Sequence, residues 1–180
     1  TPIATAGTLF GGDTLSGGTY AFVSKNVGTN VTVNVSGITV NDGNGGANYT
    51  LTQAANNTSN ITAAPLTVTG VTAGSRVYDG TTVASLGGTA SVTGLGGDVV
   101  SVTGTGTGSF VDKHVGTAKA ITVTGFGLTG TDAGNYTVVQ PTGLTANITQ
   151  HAVSIRPNDL TRVYDGTTNA APTLLVTAGT

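Results

Sequence analysis

Polar and apolar residues alternate along most of this chain with a period of two. Asn30-Val-Thr-Val-Asn-Val-Ser36 places Val31, Val33 and Val35 on one face. Leu66–Gly70, Ala120–Thr124, Tyr136–Val138 and Val153–Ile155 alternate in the same way. Successive side chains of a strand point to opposite faces, so this pattern predicts half-buried β-strands. Turn-forming clusters separate the runs: Gly11-Gly-Asp13, Asn41–Gly46, Gly87-Gly88, Gly94–Gly97 and Pro141-Thr-Gly143. No stretch carries a 3.6-residue period, so no helix is predicted.

The strands recur in phase. Arg-Val-Tyr-Asp-Gly-Thr-Thr stands at Arg76–Thr82 and again, 86 residues on, at Arg162–Thr168. Phe22-Val-Ser-Lys25-Asn-Val-Gly28-Thr29 matches Phe110-Val-Asp-Lys113-His-Val-Gly116-Thr117. Asn48-Tyr49-Thr50 matches Asn135-Tyr136-Thr137, and Asn60-Ile61-Thr62 matches Asn147-Ile148-Thr149. Gly11-Gly-Asp13 matches Gly96-Gly-Asp98, and Thr5–Thr8 matches Thr177–Thr180. The chain is therefore an array with a period of 86–88 residues. Placing the seam at Ala63-Ala-Pro65 and Gln150-His-Ala152 gives a partial repeat at 1–64, its C-terminal two-thirds. A complete repeat follows at 65–151, and 152–180 starts a third. Short strands at 8–12-residue spacing inside each repeat predict an all-β fold of tandem immunoglobulin-like β-sandwiches. The alternative, a β-helix or solenoid, would repeat at roughly 20 residues. Aromatics that recur in phase imply one Tyr/Phe-centred core per repeat. Ends that fall inside a repeat lead us to expect an internal piece of a larger protein.

Composition narrows the function classes. The chain has 37 Thr and 29 Gly, no Glu and three Lys. Charged residues are 8%, against about 25% in ordinary soluble domains. A net charge of −2 from six basic and eight acidic residues offers no attraction to nucleic acid or to an anionic membrane. Cysteine is absent, which excludes disulfides, thiolate nucleophiles and zinc–thiolate sites. No apolar run approaches the roughly 18 residues of a spanning helix, so membrane insertion is not expected.

The candidate chemistry resolves mostly into structure. In the repeated septet, Tyr78 and Tyr164 are expected to bury their rings, with Asp79 and Asp165 closing Asx-type turns and Gly80 and Gly166 at positive φ. Asp132-Ala-Gly-Asn-Tyr136-Thr-Val138 resembles the stretch of immunoglobulin domains whose Tyr hydroxyl bonds back to the main chain at a corner. Its earlier copy, Gly45–Leu51, keeps Tyr49 but lacks the Asp. Asn41–Gly46 offers oxygen ligands like a calcium loop but lacks the later bidentate acid, and reads as a hairpin turn. His114 replaces Asn26 and His151 replaces Ala64 between copies, so neither position requires imidazole. Lys25 with Asn60, and Lys113 with Asn147, recur in phase and could close Lys–Asn isopeptide bonds. No nucleophile elbow and no phosphate loop occurs. We therefore assign no catalytic, cofactor-binding or metal-binding residue, expect no cofactor, and expect no enzyme.

Tyr-Asp-Gly-Thr-Thr, Val-Gly-Thr, Gly-Asn-Tyr-Thr-Val and Ala-Asn-Ile-Thr together resemble the YDG-type, MBG/Ig-like repeats of bacterial surface proteins. Such repeats stand in tandem in large adhesins of the filamentous-haemagglutinin kind. The resemblance implies a secreted, cell-surface protein in which this region is a stalk, spacing a distal binding domain from the cell. It brings no catalytic residues. The alternative is a repeat that itself binds a host glycan or protein in cell adhesion. That would call for an exposed aromatic cluster, and the sequence suggests none. Neighbouring repeats of the same protein are the expected partners. Head-to-tail self-association is a further expectation, because residues 1–64 lack the opening strands that residues 152–180 carry.

Overall fold

The computed structural model describes residues 7–178, with Ala178 described by its backbone alone. The matching tetrapeptides Thr5–Thr8 and Thr177–Thr180 lie partly outside the described residues. Sixteen strands and two single 3-10 turns make up the regular structure among the described residues. No helix there is long and apolar enough to cross a membrane. The Thr- and Val-rich alternation folds as its period dictates, because χ1-stiff side chains pack well on a pleated surface.

The described residues group into two compact units. One holds β1 (Thr14–Phe22), β2 (Gly28–Asn41) and β3 (Asn56–Ile61), antiparallel in the order β1-β2-β3. Tyr20 stands opposite Val35, and Phe22 opposite Val33. The segments Thr93–Ser101 and Leu128–Thr137 belong to the same unit.

Residues 64–178 carry the other strands. They are β4 (Ala64–Thr67), β5 (Thr69–Ala73), β6 (Arg76–Val77), β7 (Val83–Ala84), β8 (Leu86–Ser91), β9 (Ser101–Thr103), β10 (Thr107–Phe110), β11 (Gly116–Thr124), β12 (Gly127–Thr129), β13 (Tyr136–Val139), β14 (Thr145–Thr149), β15 (Ser154–Pro157) and β16 (Leu174–Ala178). The second unit is built on a five-stranded sheet in the order β6-β14-β11-β10-β7. Its pairs are antiparallel except β6 with β14, which run parallel. Two-stranded pairs join β5 with β8, β15 with β16, β4 with β13, and β9 with β12. The sheet lies wholly within residues 65–151.

Alternation along β11 and β14 turns Ile121, Val123, Ala146 and Ile148 to one side, where they meet Ala84 and Phe110. Tyr78, Leu86 and Phe126 pack against this cluster. Burial of each large member stabilises by about 1.5–3 kcal/mol, so this one cluster dominates the second unit. The fold is all-β and sandwich-like, in keeping with the period-two pattern.

Two expectations fail. Gly87-Gly88 is not a turn: it lies inside β8, with Gly88 opposite Val71 of β5. Gly70 and Gly88 both have φ of 78°, and a Cβ on either would stand 2.2 Å from a carbonyl oxygen across the pair. The glycines are there to let two backbones meet. Nor are the in-phase aromatics buried alike. Phe110 is 2% exposed, but its counterpart Phe22 is 48% exposed. Arg76 and Tyr78 lie over the Phe110 cluster, whereas among the described residues no strand flanks β1 or β3 on its outer edge. Tyr20 and Phe22 are therefore an exposed aromatic pair, which corrects the expectation that none exists.

Candidate functional site

The repeated septet makes the same loop twice. The Asp79 carboxylate accepts the backbone N–H and the hydroxyl of Thr81, both at 2.9 Å. The Arg76 guanidinium pairs with Asp79 and with the Thr81 carbonyl, and donates to the Thr81 hydroxyl at 2.9 Å. The Thr81 N–H, then its hydroxyl and Arg76, hold the Asp79 carboxyl below its ordinary range. In the second copy Asp165 accepts from Thr167 N–H at 3.0 Å and pairs with Arg162 at 3.1 Å. Gly80 and Gly166 take φ of 82° and 72°. The expected Asx turns are present, and the Arg that locks each one was not foreseen. Its signal was its place three residues before the Asp.

The tyrosines of the two septets part company. Tyr78 is half-buried against the core cluster, whereas Tyr164 is 92% exposed. The expectation that Tyr164 is buried is wrong.

The other recurrent tyrosines act as pins. The Tyr136 hydroxyl accepts the Leu95 N–H at 2.8 Å and donates to Asp98 at 2.9 Å. The Tyr49 hydroxyl accepts the Phe10 N–H at 2.9 Å and donates to Asp13 at 2.7 Å. Each Tyr thus ties its strand region to the Gly-Gly-Asp loop of its own repeat. An immunoglobulin corner bonds a few residues upstream; here the loop lies 36–41 residues upstream.

The densest polar constellation gathers three such segments inside the first unit. Lys25 Nζ pairs with Asp98 and lies 3.3 Å from Asp132. Asn135 Oδ1 accepts the Val27 N–H at 2.9 Å, and its amide nitrogen donates to Asn26 at 3.2 Å. Asp132 also accepts the Val99 N–H at 2.9 Å. That N–H, then Lys25, lower the Asp132 carboxyl, while the Asp98 bond first and Asp132 second raise the Lys25 ammonium. The carboxylates are sheltered, at 11% and 19% side-chain exposure, but Lys25 is 67% exposed. The loop Lys25–Val27 of one repeat is thereby latched onto two loops of the next. Each segment was singled out in the sequence, but their convergence was not legible there.

The remaining candidates are structural. Both Asp42 oxygens accept backbone N–H groups, from Asn44 and Gly46 at 2.8 Å and from Asn48 at 3.1 Å. These bonds, Gly46 first, lower the Asp42 carboxyl and leave it organising its own turn. Among the described residues no group of three His, Cys, Asp or Glu gathers to hold a metal. His114 and His151 are exposed. Of the Lys–Asn pairs, Lys25 meets the carboxylates of Asp98 and Asp132 rather than Asn60. Asn60 accepts the N–H of Asn30 at 3.1 Å, and Asn147 that of Ala118 at 2.8 Å. Asn30 and Ala118 are the two non-glycine residues at positive φ among the described residues. Each lies inside a strand at a register shift, in β2 between Gly28 and Val31 and in β11 between Gly116 and Lys119, so the paired asparagines steady the same strained bulge in both copies. Two shallow clefts, of about 220 and 250 Å³, are lined by Thr, Gly and apolar residues with no titratable side chain.

Comparison with known proteins agrees with this picture of recurring devices. A family described as the YDG domain matches two consecutive stretches, residues 1–58 and 62–143. No curated protein and no solved structure matches the chain. The two stretches cover well over half of the sequence and contain both tyrosine pins and the whole Lys25 latch, so the chain belongs to the YDG domain family.

Proposed function

We propose that this chain is a spacer: a run of YDG repeats in a secreted bacterial surface adhesin, holding a distal binding region away from the cell. The Lys25 latch carries the reading. A stalk needs successive repeats to keep a fixed orientation, and Lys25, Asn26 and Val27 of the first matched stretch bond Asp98, Asp132 and Asn135 of the second. Lysine between two sheltered carboxylates adds directional bonds that an ordinary flexible linker lacks. The low charge and Thr-rich surface suit a spacer, since they present few groups for unwanted contacts.

The test joins orientation and binding. Residual dipolar couplings should report one alignment for β2 and for the Val99–Asp132 segments in the parent chain, and separate alignments in Lys25→Ala. A glycan and host-protein array should show no saturable binding. Unchanged couplings in Lys25→Ala, or saturable binding that maps to the loops, would overturn the spacer reading. A second reading, a module that grips a host molecule, draws on the exposed pair Tyr20 and Phe22; the same array decides it.

A further inference from the structure

The chain contains a single Asn-Gly step, Asn44-Gly45, and three Asp-Gly steps, at Asp42, Asp79 and Asp165. At each, the glycine nitrogen can close a five-membered ring on the preceding side chain, because glycine has no Cβ to obstruct the approach. The structure restrains three of them. The Asp42 carboxylate accepts the N–H groups of Asn44 and Gly46 at 2.8 Å and of Asn48 at 3.1 Å. Asp79 accepts the N–H and the hydroxyl of Thr81, both at 2.9 Å, and pairs with Arg76. Asp165 accepts the same two groups of Thr167, both at 3.0 Å, and pairs with Arg162. Charge-assisted bonds of this kind must break before the carboxyl can turn toward the glycine. The lowered Asp42 and Asp79 carboxyls, held first by the Gly46 and Thr81 N–H groups, also stay ionised, and a carboxylate is a poor electrophile.

Asn44 carries no such restraint. Its side-chain carbonyl accepts no hydrogen bond among the described residues, and its one side-chain bond is donated, from Nδ2 to Asn48 Oδ1 at 3.0 Å. The N–H groups on either side of Gly45, those of Asn44 and Gly46, both point to Asp42. The Gly45 N–H between them has no partner among the described residues. Asp42 thus fixes the turn and leaves the nucleophile and the electrophile of its Asn-Gly step unbonded.

We propose that Asn44 is a site of spontaneous deamidation. The Gly45 nitrogen attacks Cγ of Asn44 and gives up its proton. The new N–Cγ bond closes a succinimide, the Cγ–Nδ2 bond breaks, and ammonia leaves with that proton. Water, the one co-reactant, then opens the ring. Cleavage at the side-chain carbonyl gives aspartate. Cleavage at the main-chain carbonyl gives isoaspartate, with the chain rerouted through the side chain. No electron changes hands. Either product places a carboxylate where Nδ2 met Asn48, so that bond becomes a contact between acceptors beside the Asp42 charge. Isoaspartate also displaces the Asn44 carbonyl, which accepts the Ala47 N–H at 3.2 Å. The turn leads directly into the pin, through Tyr49 N–H to the Gly46 carbonyl at 3.1 Å and the Tyr49 hydroxyl to Asp13 at 2.7 Å. Deamidation therefore loosens the Tyr49 pin with age. The second copy is exempt, because Thr131-Asp132 stands in register with Asn44-Gly45.

The test ages the whole chain at neutral pH in ¹⁸O water and maps it by tandem mass spectrometry. Label should enter at residue 44 as aspartate and isoaspartate. Its rate should exceed that at every other asparagine, and at the three Asp-Gly steps, by at least about tenfold. The same chain unfolded in urea should react at Asn44 within about tenfold of the native rate, since the fold leaves this step free. In aged protein the ¹⁵N amide signals of Asn48 and Tyr49 should shift while those of Asn135 and Tyr136 stay. A native rate at Asn44 more than about tenfold below the unfolded one, or a faster reaction elsewhere in the native chain, overturns the proposal. Unmoved Asn48 and Tyr49 signals in fully deamidated protein overturn its link to the pin.

Discussion

Tyr78 and Tyr164 sit in identical septets, so replacing each by Ala separates local sequence from tertiary packing. Tyr78 is half-buried against Ala84, Phe110, Ile121, Val123, Ala146 and Ile148. A tyrosine buries at most about 150–250 Å². Half of that, at about 25 cal/mol per Å², is about 2–3 kcal/mol. Residual cavity raises the cost when the site does not collapse. Tyr164 is 92% exposed and has almost no apolar contact to lose. For a chain of this size, 1 kcal/mol shifts Tm by about 2–4 °C. Tyr78→Ala should therefore lower the melting of the chain by about 5–10 °C, and Tyr164→Ala by less than about 1 °C. The assay is thermal unfolding followed by circular dichroism and calorimetry, at low micromolar protein so that self-association does not contribute. Equal shifts for the two variants, large or small, would refute the argument that burial rather than the septet sets the cost.

The latch should hold only between its two titrations. Asp132 is depressed, so its contribution is present above about pH 4 and is lost as pH falls through the lowered folded value. Lys25 is raised, so its contribution is present below about pH 10 and is lost as pH rises through the folded value. Dipolar couplings across the Lys25 junction should therefore diverge at both extremes and stay constant between; divergence at neutral pH would count against the latch. Asp42→Ala should speed amide exchange at Asn44, Gly46 and Asn48, while calcium added to the parent leaves those amides unshifted. A saturable calcium shift would restore the metal loop. Gly70→Ala places a Cβ 2.2 Å from the Thr89 carbonyl oxygen at φ of 78° and should cost at least about 1–3 kcal/mol, read by denaturant unfolding; a neutral result would mean the β5–β8 crossing can relax.

Much of this protein is written locally. Period-two alternation decides strand against helix, because side-chain direction along a strand repeats every two residues. The Asx turns at Asp79 and Asp165 form alike in both copies, because an Asp, the residue two on, and an Arg three before contain the whole loop. In-phase identity reveals the array without any structure. What repetition could not disclose is which copy finds a neighbour. Phe110 and Phe22 share a sequence context, yet one is core and the other surface. Their difference lies in β6, a strand 34 residues away that one sheet has and the other lacks. Lys25 likewise matches Lys113 in sequence, but its partners Asp98 and Asp132 lie 73 and 107 residues further along. Gly87-Gly88 reads as a turn because glycine permits turns, and only the strand crossing at Gly70 shows that it permits close approach instead. Burial, ion pairing and backbone crossing are set by segments far apart in the chain, so only the tertiary structure decides them.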